Sequence, residues 1–357
     1  MAESEVLPIC FTTWIQGVTL GQDKISIVVP LWRHDRHLDA CIDSIVSQTY
    51  KNLEVIFVDN NATDNVLHHV SRFFSMKTDI VFRLVKEPVQ GIASARRRGV
   101  LEAEAEYVGF LDSDDLMNSD RLAVQLEALK CSPRASMAVS RYDFISFDGS
   151  RILKKGWKPK AEMWAERLLG KGEDPGTPFY DSHPSTMLFR RKMALKAGLF
   201  DIRFDPFWYE DSEFSLRMHM QGPILLIDKP LALIRETSDD YRKVREGAVD
   251  WVRFRNTDLF FQILKNLFNP KDPRFRRSFS EIRARWLLEQ SRNYFNSKQG
   301  EWLGRKMIVR ALKEYPLKIK NINYLPRLIF KNKNDNSKPE IPIEYNSEDF
   351  VSNVFLN

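Results

Sequence analysis

The first half of the chain alternates short apolar runs with segments whose apolar residues recur at helical spacing. The runs ISIVVP at 25–30 and LEVIFV at 53–58 are too continuous for half-exposed strands and predict strands buried on both faces. Two further strands are predicted at 80–85 and 107–111, and helices at 38–48, 66–74, 92–105 and 121–130. Strands that alternate with helices are typical of right-handed crossovers and a mostly parallel sheet. This part is therefore predicted to be an α/β fold with flanking helices.

The second half of the chain is less regular. From 148 to 181 the sequence is rich in Gly, Pro and charged residues, and a segment of that length inside a domain is usually a functional loop or lid. A helix at 211–220 and a strand at 224–227 follow, and 241–328 is predicted to be helical. The predicted parts are an N-terminal extension (1–23), an α/β domain (24–240), a basic helical C-terminal region (241–330) and a polar tail (331–357).

Composition supports a folded protein of a reducing compartment. Apolar residues make up 43% of the chain, enough for a substantial core. The three cysteines are widely spaced and form no CxxC pair, which disfavours a disulfide framework or a zinc site. No run approaches the roughly 18 to 20 apolar residues that span a bilayer. Glu3 and Glu5 precede the apolar stretch 6–20, where a signal peptide needs basic residues, so we expect a cytoplasmic protein.

Positive charge is concentrated in the C-terminal region. The chain carries +6 overall, but 241–335 contains 23 Lys or Arg against 9 Asp or Glu, a local balance of +14. Basic residues mixed with aromatic rings suit an anionic membrane, so peripheral binding at its inner face is one interpretation. The alternatives are a helical core with a basic exterior, or an oligomer interface. Nucleic acid is not expected, because no binding motif accompanies the charge. The aromatic residues concerned are Trp251, Phe254, Phe260, Phe261, Trp286, Tyr294 and Trp302.

Acidic residues follow two of the predicted strands. Asp59 ends the second strand, and Asp112-Ser113-Asp114-Asp115 follows the fourth. Ligands of such sheets bind beyond the carboxyl ends of the strands. Two carboxylates one residue apart can share a Mg²⁺ or Mn²⁺ ion, which would balance the charge of a diphosphate. Asp59 could accept a hydrogen bond from a nucleobase. The alternatives are a solvated acidic loop before the next helix, and an Asx turn at Asp59.

Glu210 and Asp211 open a predicted helix directly after three aromatic residues. The N-terminal end of a helix favours an ionised carboxylate, and the aromatic neighbours can restrict water, so Asp211 is a candidate general base. The alternative is a helix cap. Arg96 lies at a helix start among small residues, where a guanidinium can approach phosphate. The six histidines show no clear metal-ligand set, so the acidic residues are the candidate metal ligands.

Five segments together resemble the family 2 GT-A glycosyltransferases. ISIVVPLW, VDNNATD, GIASARRRG, YVGFLDSDD and YEDSEFSLR occur in the order and spacing of that family, over residues 24–237. The resemblance implies a GT-A fold, a nucleotide-diphosphate sugar as donor, with UDP expected, and inversion at the anomeric carbon. It also implies an acceptor hydroxyl on a glycan or lipid-linked acceptor, as in surface polysaccharide synthesis. The expected enzyme is a metal-dependent hexosyl- or N-acetylhexosaminyltransferase.

The resemblance assigns roles to individual residues. Asp211 would be the catalytic base, and Glu210 would assist it or hold the acceptor. Asp114 would ligate Mn²⁺ or Mg²⁺, and Asp112 would approach the ribose or the metal. The residues implied at the nucleotide-sugar site are Pro30, Leu31, Trp32, Asp59, Arg96, Asp112 and Ser113.

The chain departs from the family pattern at four places. Leu31-Trp32-Arg33 stands where the family usually has Thr-Tyr-Asn. Asn60 replaces the second Asp of the usual Val-Asp-Asp, and Arg97 replaces an Asn. The family often has a histidine two residues after an arginine, sometimes as a metal ligand, but Arg235-Glu236-Thr237 has none. These differences leave the details of base binding and the remaining metal ligands open.

Other classes of protein share parts of this pattern. A sugar nucleotidyltransferase has a similar α/β layout and metal carboxylates, but it needs a Gly-rich loop after the first strand. The segment LWRHDRH at 31–37 is nothing like such a loop. A non-catalytic sugar-binding or scaffold protein would tolerate loss of the carboxylates, all of which are present. A polyprenyl-phosphate sugar synthase is disfavoured because no stretch is apolar enough to span a membrane. The glycosyltransferase interpretation is therefore preferred.

Overall fold

The structure is a computed structural model of the chain, and it describes five continuous stretches. These are 23–33, 36–154, 183–206, 208–236 and 301–314. Scattered helical positions between 252 and 291 are described in addition. The described residues fall into two compact units, one within Met1–Pro159 and Asp181–Glu236, the other within Lys160–Tyr180 and Thr237–Asn357. The predicted N-terminal extension up to residue 22, residues 155–181 of the predicted loop 148–181 and the polar tail lie outside the described residues.

The first unit is a sheet with helices on its faces. Its described strands are β1 (Ile25–Leu31), β2 (Leu53–Asp59), β3 (Val81–Lys86), β4 (Tyr107–Phe110), β5 (Leu116–Met117), β6 (Met137–Ile145), β7 (Ile152–Lys154), β8 (Met187–Arg190) and β9 (Ile224–Arg235). Its helices are α1 (Leu38–Val46), α2 (Asp64–Phe73), α3 (Ile92–Glu102), α4 (Arg121–Cys131), α5 (Arg191–Ala197) and α6 (Glu210–Gln221). The strands and helices predicted for the first half are all present, with ends shifted by a few residues.

The strand order explains which predicted features meet. Among the described residues the order is β3-β2-β1-β4-β8-β6-β9-β5, with β7 paired to β6. Strands β3, β2, β1 and β4 are parallel, as predicted. Beyond β4 the sheet is mixed, because β8 runs antiparallel to both β4 and β6, while β6 and β9 are parallel. Strand β6 escapes the sequence analysis because MAVSRYDFI is neither a continuous apolar run nor a strict alternation.

The centre of the core is the pair β1 and β2. Every residue of both strands is buried, in keeping with their continuous apolar sequences. Helix α3 packs so closely on β1 that a Cβ atom at Gly99 would overlap the side chain of Val28. This close packing brings the start of α3 to the carboxyl ends of the parallel strands.

The second unit contains α7 (Glu301–Glu314) and a buried helical core. Phe260 and Phe261, two of the aromatic residues considered for a membrane surface, are 3% and 1% exposed. These two rings therefore support the alternative of a helical core. The side chains of the other five aromatic residues lie outside the described residues. None of the helices in the described part of the chain is long and apolar enough to cross a membrane.

Gly99→Ala is expected to destabilise the fold. The added Cβ would meet the branched side chain of Val28, so helix and sheet would have to move apart. We expect the free energy of unfolding to fall by about 1–3 kcal/mol, the usual effect of overpacking, measured by urea denaturation. The control is Arg98→Ala on the same helix, which removes only a partly exposed ion pair with Glu102 and should cost about 0.3–0.5 kcal/mol. Equal losses in the two variants would contradict the packing argument.

Candidate active site

Two acidic segments converge on one arginine. Arg96, on α3, is 3% exposed. Its Nη1 donates to Glu210 Oε1 at 2.9 Å, and its Nη2 donates to Asp112 Oδ1 and Oδ2 at 2.8 and 3.0 Å. Asp112 and its buried neighbour Ser113 follow β4, and Glu210 opens α6. The sequence predicts Arg96 near a nucleotide; the structure shows it as the ionic link between the acidic loop and α6.

The charge of Arg96 affects its two partners differently. Burial disfavours the ionised form of Asp112, but Arg96 and then His183 outweigh burial, and the pKa of Asp112 is lowered. Burial also acts on Glu210, where Arg96 offsets burial and the nearby Asp205 only in part, so the pKa of Glu210 is raised. Glu210 Oε2 and Arg96 Nε are buried and have no hydrogen-bond partner among the described residues. Asp112 is therefore the more strongly ionised of the two.

Asp211 is a carboxyl group whose pKa lies near neutrality. It is half-buried, and burial, followed by the charge of Glu210, raises its pKa to about 7 despite the opposing effect of Arg96. Its Oδ1 accepts hydrogen bonds from the Ser212 N–H at 2.6 Å and the Ser212 Oγ–H at 3.2 Å. A general base works best when its pKa lies near the operating pH. The environment of Asp211 therefore suits the role that the sequence predicts for it.

The turn before α6 is held by the start of α3. Trp208 and Tyr209 have φ angles of 76° and 72°, in the left-handed region that disfavours bulky residues. Asp205, just before this turn, accepts two backbone N–H groups from the first turn of α3 at 2.7 and 3.1 Å. It also accepts the Ser94 Oγ–H at 2.5 Å. Asp205 thus caps α3 and anchors the strained turn that leads into α6.

Asp115, the third acid of the loop after β4, is buried at 2% exposure. Its Oδ1 accepts the backbone N–H of Arg235 at 2.9 Å, and its Oδ2 accepts the Ser185 Oγ–H at 2.6 Å. Burial, and then the charges of Asp114 and Asp112, raise the pKa of Asp115 well above its usual range. Asp115 belongs to the predicted acidic cluster but receives no role of its own there, because nothing in the local pattern separates a buried acid of this loop from an exposed one.

His183 reaches the acidic loop from a distant part of the chain. Asp112, Asp115 and His183 each offer a ligand atom, and these atoms lie within 4.8 Å of one another. This corrects the expectation that the histidines form no ligand set. His183 arrives through the 3-10 turn Pro184–Thr186 before β8, a contact that sequence spacing cannot reveal. Asp114, the predicted metal ligand, is half-buried and outside this set, so its role stays a prediction.

The residues predicted to line a nucleotide pocket lie at the ends of β1 and β2. Pro30 and Leu31 are buried within β1. Trp32 is partly exposed, with the Arg33 guanidinium 4.8 Å from its ring centroid. Asp59 Oδ1 accepts the backbone N–H three residues later at 2.9 Å. An Asx turn would bond the N–H two residues later, so the Asx turn considered for Asp59 is not shown, and its role at the base stays a prediction.

Asn60, which replaces an acidic residue of the family pattern, ties β2 to the start of α3. It is 3% exposed. Its Nδ2 donates to the carbonyls of Glu87 and Val89 at 3.0 and 2.6 Å. Its Oδ1 accepts from Gln90 Nε2 at 3.1 Å and from the Gly91 N–H at 2.9 Å. Both ends of the amide are satisfied inside the protein, so Asn60 holds the loop before α3 in place.

Known proteins match the same part of the chain. The sequence model described as "Glycosyl transferase family 2" matches residues 26–196, which confirms the family resemblance. The glycosyltransferase GlyA of Streptococcus pneumoniae is 32% identical over 123 residues. The match covers 34% of this chain and 17% of GlyA, so the similarity concerns one part of a much longer relative.

Solved structures share the fold. TarS from S. aureus has a TM-score of 0.54 at 19% identity, covering 82% of this chain and 81% of TarS. The mannosyltransferase PcManGT from Pyrobaculum calidifontis, in complex with GDP-Man and Mn²⁺, has a TM-score of 0.51 at 16% identity, covering 85% and 79%. Likeness at these identities shows the fold alone, and it confirms the predicted GT-A fold.

Asn60→Asp is expected to loosen the loop before α3. The change replaces a buried amide that donates twice by a carboxylate oxygen that faces two carbonyl oxygens. Leaving these buried groups unpaired should lower the free energy of unfolding by about 1–3 kcal/mol, measured by urea denaturation at neutral pH. Asn61→Asp is the matched control, because it makes the same change of charge at an exposed neighbour. Asn61 also donates to this loop, but through exposed bonds to Pro88 and Gln90. If Asn61→Asp is as destabilising as Asn60→Asp, burial of the Asn60 amide is not responsible.

Proposed function

Since residues 26–196 belong to glycosyl transferase family 2, we propose that this chain is an inverting glycosyltransferase. It moves a sugar from a nucleotide-diphosphate sugar to an acceptor hydroxyl. The observation that carries the proposal is the ionic link through Arg96, which holds the acidic loop after β4 beside the Glu210-Asp211 pair. Such a transfer needs a proton acceptor close to the place where the diphosphate departs. The Glu210-Asp211 pair supplies the proton acceptor, and the acidic loop after β4 supplies the place for the diphosphate.

Asp211 acts as the general base. Its carboxylate takes the proton of the acceptor hydroxyl while the acceptor oxygen attacks the anomeric carbon from the side opposite the diphosphate. The bond between the anomeric carbon and the diphosphate oxygen breaks, and its electron pair leaves with the diphosphate. A single displacement inverts the anomeric centre, so no covalent bond to the protein is required. Glu210, paired with Arg96, orients the start of α6 that carries Asp211.

The acidic loop after β4 fits a divalent cation. The described part of the site gathers five carboxyl groups, whereas the guanidinium groups of Arg235 and the buried Arg121 donate to backbone carbonyls. Asp112 and Asp114 would hold Mn²⁺ or Mg²⁺, whose positive charge stabilises a departing diphosphate. The five carboxyl groups are those of Asp112, Asp114, Asp115, Glu210 and Asp211.

The donor is a UDP-sugar in this proposal, and the acceptor is a glycan or a lipid-linked glycan of surface polysaccharide synthesis. PcManGT, which shares the fold, binds GDP-Man and Mn²⁺, which supports a nucleotide sugar as the class of donor. UDP follows from the family resemblance, with Asp59 at the base.

The balance of +14 over 241–335 suits an anionic lipid surface. We therefore place the protein in the cytoplasm, held peripherally at the inner face of the membrane.

Slow hydrolysis of the donor tests the class of enzyme without a known acceptor. With Mn²⁺ present, the protein should release a nucleoside diphosphate from one member of a panel of UDP-, GDP- and dTDP-sugars. Excess chelator should abolish release, and Mn²⁺ or Mg²⁺ should restore it. Asp114→Asn should lose metal-supported nucleotide binding, whereas Asp79→Asn, an exposed control, should not. Full activity in excess chelator would contradict the metal assignment, and turnover of a sugar phosphate with a nucleoside triphosphate would indicate a nucleotidyltransferase.

Asp211→Asn is expected to lower kcat by about 10² to 10⁴-fold, the usual contribution of a positioned base, with donor affinity nearly unchanged. Because the pKa of Asp211 is raised to about 7, kcat of the wild type should fall as the pH drops below 7 and the carboxylate gains a proton. The variant should lose this pH dependence, and Asp79→Asn should keep it. If Glu210→Gln lowers kcat more than Asp211→Asn does, the base is Glu210.

A further inference from the structure

We propose that His183 is a nitrogen ligand of the divalent cation, shared with Asp112 and Asp115, and that it makes the site prefer Mn²⁺ to Mg²⁺. The ligand atoms of the three residues lie within 4.8 Å of one another. Two ligands on opposite sides of an ion with bonds of about 2.1 Å lie about 4.2 Å apart. A contraction of a few tenths of an ångström would therefore let all three bind one ion. The catalytic role of this ion rests on the proposed function, but the binding of the ion by these three residues does not depend on that function.

His183 is oriented by the turn that follows it. Its Nδ1 accepts the Ser185 N–H at 3.4 Å, longer than a normal hydrogen bond, so the Nδ1 lone pair is only weakly engaged. The same Nδ1 lies 3.6 Å from Asp115 Oδ2. Ser185 Oγ accepts the Asp112 N–H at 3.1 Å and donates to Asp115 Oδ2 at 2.6 Å. One serine therefore sets the position of all three proposed ligands.

The charge around Asp115 independently indicates a cation. Asp115 is 2% exposed, and no Lys or Arg of the described chain forms an ion pair with it. Its hydrogen-bond donors are a backbone N–H and a serine hydroxyl, both neutral. The charges of Arg235 and Arg121 lie close, but both guanidinium groups are engaged elsewhere. Arg235 donates to the carbonyls of Asp114, Ser146 and Phe147, and Arg121 donates to the carbonyls of Phe110 and Met187 and to Gln125. A buried carboxylate needs a cationic partner, and a metal ion beside His183 would provide one.

The imidazole decides which ion fits best. Mg²⁺ is a hard cation that takes oxygen ligands and keeps its water, whereas imidazole nitrogen favours transition metals. Adding the imidazole of His183 to the carboxylate ligands of the site therefore favours Mn²⁺ over Mg²⁺. His183 also supplies the nitrogen ligand that Arg235-Glu236-Thr237 lacks at the position where the family often has histidine.

Electron paramagnetic resonance of Mn²⁺ tests the ligand directly, with the full-length chain and no substrate. Mn²⁺ bound to the wild type should show nitrogen hyperfine coupling in pulsed spectra. His183→Asn, which keeps a residue suited to the N-cap position, should lose the coupling. Its Mn²⁺ affinity should fall by about tenfold or more, measured from the signal of free Mn²⁺, while Mg²⁺ affinity measured by competition should change less. The control His68→Asn, at an exposed histidine of α2, should leave coupling and affinity unchanged.

The outcomes separate this proposal from the proposed function. Bound Mn²⁺ without nitrogen coupling in the wild type, or coupling that persists in His183→Asn, would overturn the assignment. If His183→Asn fails to fold, His183→Gln serves as the second variant under the same two criteria. Nitrogen coupling that disappears with His183, in a protein that hydrolyses no nucleotide sugar, would establish the metal ligand while the glycosyltransferase proposal fails.

Discussion

The buried guanidinium of Arg96 is the interaction on which the rest of the site depends. A charge at 3% exposure is stable only when it is paired and hydrogen-bonded, and Asp112 and Glu210 provide both. These partners belong to the loop after β4 and to the start of α6, so the ion pairs fix the separation of two segments that are distant in sequence. Removing one partner from a buried pair typically costs about 3–5 kcal/mol. Separating the acidic loop from the start of α6 would break these pairs and destabilise the fold, so the folded state itself keeps the two segments together.

The same arginine explains why two adjacent carboxyl groups behave differently. Arg96 bonds Glu210 directly, but it acts on Asp211 only through space. Asp211 also feels the charge of Glu210, which adds to burial in raising its pKa. One carboxyl group is thus a counter-ion, and its neighbour is free to exchange a proton near neutral pH. Neighbouring acids whose environments differ in this way commonly divide structural and catalytic roles.

The sequence predicts those parts of the site that lie next to strands with a recognisable run of apolar residues. Strands β1 and β2 are recognisable because both faces are buried, and the position of Asp59 at a strand end follows from them. Strand β6 is missed because its polar and apolar residues are mixed. The contact of His183 with the acidic loop depends on where the turn Pro184–Thr186 lies in space, and the role of Asn60 depends on partners in another loop. Contacts that only tertiary structure creates leave no local pattern to detect.

The strained turn before α6 shows how the two halves of the site are held together. Left-handed backbone at Trp208 and Tyr209 costs about 1–3 kcal/mol per residue and persists only where the surroundings impose it. Asp205 imposes it by capping α3, and its carboxylate occupies the volume that a side chain at Gly91 would need. The helix that carries Arg96 therefore also anchors the turn that leads into α6. The ion pair between them joins two segments that the cap already holds in place, so a buried arginine can be paired without further ordering of the chain.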